Sequence, residues 1–114
     1  MSKLSVGKHL LGSLYNCPVH LLKEVEQVRD IMYRTVKEAK FNCVGDVFHQ
    51  YEPFGVTGVI LISDSHFSIH TWPEHRFAAV DIFSCSKESD TELAFDILCK
   101  YLLPERAEKQ LIER

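Results

Sequence analysis

Between positions 41 and 83 the chain runs through four strand-length segments with no helical pattern between them. Residues 41–51 alternate loosely, Val56–Ile62 is nearly all apolar, and residues 66–72 and 77–83 follow in quick succession. Pro53-Phe54-Gly55 separates the first pair, and Pro73-Glu74-His75-Arg76 makes the turn before the last. The sequence Val-Thr-Gly-Val-Ile-Leu-Ile has so little polar alternation that Val56–Ile62 is expected to be buried on both faces. With 114 residues in all, this leaves room for one domain, residues 1–114.

The flanks supply the rest. Residues 4–14 are expected to form a first strand, stopped by Asn16-Cys17-Pro18. Pro18 suits the first position of a helix, where its missing N–H costs nothing. From there Leu21, Leu22, Val25, Val28, Met32, Thr35, Val36 and Ala39 recur at spacings of three and four, predicting an amphipathic helix over residues 18–39. Ser89-Asp90-Thr91-Glu92 has the form of a capping box. It opens a second helix in which Leu93, Ile97 and Tyr101, with Ala94 and Leu98, share a face. Pro104 ends that helix, and Gln110-Leu111-Ile112 reads as a short last strand. The order β-α-β-β-β-β-α-β gives an α+β fold, a two-layer sandwich with two helices packed on one face of a largely antiparallel sheet.

Bulk properties narrow the function. An apolar share of 46% and a charged share of 25% are ordinary for a globular protein. A net charge of −3, spread along the chain, argues against nucleic acid as a partner. No apolar run approaches the roughly twenty residues of a membrane span. The first residues lack an apolar signal core, so a cytoplasmic location is expected. Cys17, Cys43, Cys85 and Cys99 show no C-x-x-C spacing and read first as reduced thiols, mostly buried.

Reactive groups crowd into Ser63-Asp64-Ser65-His66-Phe67-Ser68-Ile69-His70-Thr71-Trp72-Pro73-Glu74 and Asp81-Ile82-Phe83-Ser84-Cys85. A metal site is disfavoured. On one strand His66 and His70 stand roughly 13 Å apart, whereas zinc needs both nitrogens at about 2 Å. A serine hydrolase lacks its G-x-S-x-G elbow. Cys85 at a strand end is reactive only if an imidazole or a charge lies near. Trp72 and Tyr51 read either as core aromatics or as a stacking surface for a planar or cationic ligand. Glu74 reads as a turn carboxylate.

The run Ser65-His66-Phe67-Ser68-Ile69-His70-Thr71-Trp72-Pro73-Glu74 resembles the processing and active-site motif of the short prokaryotic S-adenosylmethionine decarboxylases. Gly7-Lys8-His9-Leu10-Leu11, Gly55-Val56-Thr57-Gly58-Val59 and Ala78-Ala79-Val80-Asp81-Ile82-Phe83-Ser84-Cys85 resemble the segments around it. The resemblance is close over residues 4–85 and loose beyond. It implies an enzyme that makes a pyruvoyl cofactor from its own backbone. The Ser65 hydroxyl attacks the carbonyl of Asp64, the peptide becomes an ester, and β-elimination cuts the chain into 1–64 and 65–114. Residue 65 then becomes the pyruvoyl group. Such a ketone can form a Schiff base with the substrate amine and accept the electrons that decarboxylation leaves behind, which no ordinary side chain does.

The resemblance also implies roles. His70 is the base of the elimination step, Thr57 supports processing by hydrogen bonding, and Cys85 is the general acid of turnover. Tyr51 stacks on adenine, Glu74 binds the ribose hydroxyls, and Trp72 lines the same pocket. The substrate implied is S-adenosylmethionine, the product an aminopropyl donor for spermidine synthesis, and the assembly a homodimer with sites where the protomers meet. Two positions depart from the family pattern: Asp64 stands where Glu is usual, and Thr57 where Ser is usual. Ser65 and His70, five residues apart, point to opposite faces of a regular strand. A freed chain end or a bulge are two ways to reconcile them. The competing readings are a pyruvoyl decarboxylase of arginine or ornithine, and a regulatory subunit that binds without cleaving.

Overall fold

A computed structural model of the chain describes residues 5–63, 65–85 and 90–114. Asp64, the residue before the expected cleavage, and Ser89 of the expected capping box lie outside the described residues. Six strands form one sheet: β1 (Lys8–Tyr15), β2 (Cys43–Gln50), β3 (Val56–Ile62), β4 (Ser65–Trp72), β5 (Phe77–Ser84) and β6 (Arg106–Glu113). Their order across the sheet is β2-β3-β4-β5-β1-β6. Every neighbouring pair is antiparallel. Helices α1 (Val25–Glu38) and α2 (Thr91–Leu102) pack on each other and on one face of this sheet, α1 over β2 and β3, α2 over β1 and β5. The α+β sandwich expected from the sequence is the observed architecture.

Alternation along the strands fills the layer between sheet and helices. Leu10 and Leu14 of β1, Ile60 of β3, Phe67 and Ile69 of β4 and Ile82 of β5 meet Met32 of α1 and Leu98 of α2. Among the described residues no second layer covers the opposite face of the sheet. Val47 is 72% exposed there and Leu61 is 51% exposed. This corrects the expectation for β3, which is buried on its helix side and half-open on the other. An unbroken apolar run therefore marks a strand with one covered face and one uncovered apolar face.

The helix expected over residues 18–39 is also corrected. A short 3₁₀ turn (Val19–Leu21) comes first, and α1 starts only at Val25. The intervening carbonyls are spent on the sheet. Leu22 O accepts from Thr71 Oγ1 at 2.9 Å, and Lys23 O accepts from Gly55 N at 3.0 Å and from Gln50 Nε2 at 2.9 Å. A continuous helix would need those carbonyls for its own ladder. At α2 the cap is Asp90, whose carboxylate accepts from Leu93 N at 3.0 Å. The last strand is longer than expected, eight residues in place of three. No helix among the described residues is long and apolar enough to cross a membrane.

Candidate active site

β4 and its neighbours position most of the candidate residues. Its alternation sends Phe67, Ile69 and Thr71 into the core and His66, His70 and Trp72 to the face without helices. Thr71 is buried and anchors this end of the strand, accepting from Val56 N at 2.9 Å while donating to Leu22 O. β3 pairs with β4 so that Thr57 lies directly across from His70. The hydroxyl of Thr57 is 3.0 Å from His70 Nδ1 and 3.1 Å from the phenol oxygen of Tyr51. The His70 and Trp72 rings stack with centroids 6.0 Å apart, and Trp72 leans on Phe77 at 5.7 Å. Trp72 and Tyr51 are 40% and 46% exposed, so neither is a core aromatic. Glu74 sits in the 3₁₀ turn Pro73–His75 that follows β4.

Tyr51, Thr57, His70, Trp72 and Glu74 line one cavity of about 570 Å³, with Lys23 and Phe54 on its far wall. Its walls offer aromatic faces and carboxylates, which suits a planar ligand that carries hydroxyls or a positive charge. Sequence reading missed Lys23, Phe54 and Gln50. Lys23 Nζ lies 4.0 Å from the Phe54 ring centre. The Gln50 amide accepts from Val25 N at 2.6 Å and donates to Lys23 O and to Gly55 O, both at 2.9 Å. It ties the start of α1 to the 51–55 loop that carries Tyr51. A glutamine at a strand end and a lysine inside a helical pattern carry no sequence signal for such a task.

Ser65 and Cys85 form a second cluster. Ser65 is the first residue of β4, and its hydroxyl accepts from Cys85 N at 3.0 Å. Cys85 is exposed just past the end of β5. The pairing of β4 with β3 and β5 is continuous from end to end, with no bulge. Ser65 and His70 therefore belong to opposite faces of a regular strand, about 16 Å apart along it at 3.3 Å per residue. One protomer brings Tyr51, Thr57, His70, Trp72 and Glu74 together, and brings Ser65 to Cys85, but does not join the two clusters. Burial pushes the Cys17 and Cys99 thiols up to about 11, which leaves them protonated and inert. No group of three or more His, Cys, Asp and Glu side chains among the described residues is arranged to hold a metal.

A small antiparallel sandwich, with a serine heading a central strand, a cysteine beside it and an aromatic-lined cavity at the strand's other end, is a narrow structural class. The family described as S-adenosylmethionine decarboxylase matches residues 8–114, and the chain belongs to that family. A relative from Persephonella marina, named S-adenosylmethionine decarboxylase proenzyme, is 40% identical over 110 residues, covering 96% of this chain and 83% of its own length. One of the same name from Archaeoglobus fulgidus is 39% identical over 109 residues, covering 96% and 97%. The crystal structure of the adenosylmethionine decarboxylase from Aquifex aeolicus superposes with a TM-score of 0.92 at 37% identity, covering 98% of this chain and 92% of that one. The Trypanosoma brucei AdoMetDC-delta26 monomer shares the fold, with a TM-score of 0.69 at 17% identity over 91% of this chain and 45% of its own.

Proposed function

We propose that this chain decarboxylates S-adenosylmethionine after cutting itself between Asp64 and Ser65, and that its pyruvoyl group comes from Ser65. The observation that carries the reading is the meeting of Ser65 and Cys85, twenty positions apart, at the head of β4. If Ser65 becomes the cofactor and Cys85 serves turnover, the two must share one site, and the hydrogen bond from the Cys85 backbone N–H to Ser65 Oγ supports that reading.

In maturation the Ser65 oxygen attacks the carbonyl of residue 64 and converts the amide to an ester. Removal of the residue 65 α-proton by His70 expels the carboxylate of residue 64 and severs the chain. Thr57 holds the His70 ring through Nδ1. The dehydroalanine left at residue 65 would tautomerise to an imine, and water would replace its nitrogen, released as ammonia, with the ketone oxygen; that ketone would supply an electron sink for the carbanion left by loss of carbon dioxide. Cys85 returns a proton to that carbon. In the cavity, Tyr51 and Trp72 offer faces to adenine and to the sulfonium charge, and Glu74 accepts from the ribose hydroxyls. The product is the aminopropyl donor used in making spermidine.

His70 and its neighbours reach Ser65 in a homodimer, in which each site takes Ser65 and Cys85 from one protomer and the Tyr51–Glu74 cavity from the other. Support comes from the separation of the clusters and from the uncovered sheet face, whose exposed Leu11, Val47, Leu61 and Ile112 suit a second copy of the same face. The test is carbon dioxide release by purified protein from S-adenosylmethionine, arginine and ornithine in parallel. Release from S-adenosylmethionine alone is expected, abolished by Ser65→Ala. Release from arginine or ornithine instead would sink the substrate assignment, and no release from any of the three would favour a binding subunit.

A further inference from the structure

Tyr51 has two chemically separate parts, a ring face and a hydroxyl, and the function proposed above uses only the face. The hydroxyl ends a three-member chain, Tyr51 Oη–Thr57 Oγ1–His70 Nδ1, with links of 3.1 and 3.0 Å. Sheet register sets this chain. His49 of β2 lies across from Thr57 of β3, which lies across from His70 of β4. The Tyr51 ring meets the edge of His49 at 4.6 Å between centroids. Pairing of β3 with β4 therefore sets Thr57 beside His70, and Tyr51, just past the end of β2, reaches the row beside His49.

Thr57 is the middle member and has one hydrogen to give. If it donates to His70 Nδ1, the imidazole proton sits on Nε2 and that nitrogen cannot accept another. If Nδ1 carries the proton and donates to Thr57 Oγ1, Nε2 is a free base, but the Thr57 hydrogen then needs a different acceptor. Tyr51 Oη is placed to be that acceptor. We propose that the Tyr51 hydroxyl is a positioning group for His70: it takes the Thr57 hydrogen and so keeps His70 as the Nδ1–H tautomer, with Nε2 ready to take a proton. The inference rests on His70 being the base of maturation. In a free protomer, water competes for each link. With the open sheet face covered by a second protomer the chain is shielded and its polarity is held.

The test separates tautomer from turnover. Histidine ring nitrogens labelled with ¹⁵N are read in a Ser65→Ala chain, which cannot cleave, and in the same chain with Tyr51→Phe, with His70→Asn used to assign the signals. The expected result is the Nδ1–H form of His70 in the first and a shift toward the Nε2–H form in the second. The same form in both, or Nε2–H in the first, overturns the proposal. With Ser65 restored, Tyr51→Phe, which keeps the ring and loses only the hydroxyl, is expected to slow self-cleavage about tenfold or more. Unchanged cleavage overturns the proposal as well. Because the labelled chain cannot cleave, a failure of the maturation chemistry itself shows only in the kinetic arm.

Discussion

Ser65 and Cys85 stand at the same end of neighbouring strands, and antiparallel pairing of β4 with β5 converts a separation of twenty positions into a 3.0 Å contact. In the proposed function the two residues have different tasks, one consumed in maturation and one used in every turnover. Replacing Cys85 with Ala separates them. The variant is expected to cut itself, because Ser65, Thr57 and His70 are intact, while kcat for decarboxylation falls about a hundredfold or more, the range lost with a positioned acid. Single-turnover carbon dioxide release from the cleaved variant measures it. At this scale the reactive side chains were legible, since their types crowd into one short run. Their grouping was not. Nothing in the run announces that His70, Trp72 and Glu74 join Tyr51 and Thr57 at one end of β4 while Ser65 faces Cys85 at the other, because strand direction and register decide it. Gln50 was invisible for a related reason: its amide acts on backbone atoms of segments far away in sequence.

The sheet and helices meet with little slack. A Cβ on Gly12 of β1 would come within 2.3 Å of the Phe95 ring of α2 and 2.9 Å of Val80 on β5. Phe95 is 3% exposed and fixed in the core, so it cannot swing aside into solvent. Gly12→Ala is expected to lever α2 away from β1 and cost about 1–3 kcal/mol, seen as a fall of several degrees in Tm. Gly58 is similar, since a Cβ there would come within 2.3 Å of the Phe48 ring. Element positions were legible where a regular hydrophobic period ran unopposed, as at α2. They misled where tertiary hydrogen bonds overrode the period. The pattern at Leu21, Leu22 and Val25 is helical, but the carbonyls of Leu22 and Lys23 go to Thr71, Gly55 and Gln50, so the helix starts late. Likewise, Val56–Ile62 read as doubly buried because an apolar residue gives no sign of whether both faces of its strand are covered.

For the whole molecule, the strand order is the property least visible in the sequence. β1 lies between β5 and β6, so the first strand and the last close one side of the sheet and β2 ends the other. That order leaves an apolar sheet face open and splits the reactive residues into two clusters about 16 Å apart along β4. Under the proposed function, self-cleavage assisted by His70 is expected only of an assembled dimer. Two inactive variants test this by complementation. His70→Ala and Cys85→Ala chains, each alone, lack one half of every site. Co-expressed, they form mixed dimers in which one site carries both defects and the other carries none. Random assortment in a two-fold dimer restores about a quarter of the parental decarboxylase activity. Sites built within single protomers would restore none.

A chain that makes its own cofactor carries the sign of it in its mass. After incubation the parent chain is expected to appear as two species, residues 1–64 with an intact C-terminal carboxylate and residues 65–114 beginning with a pyruvoyl group. The Ser65→Ala chain is expected to stay whole. A single uncut 114-residue species from the parent chain, stable on long incubation under conditions where it is folded and dimeric, would contradict the account.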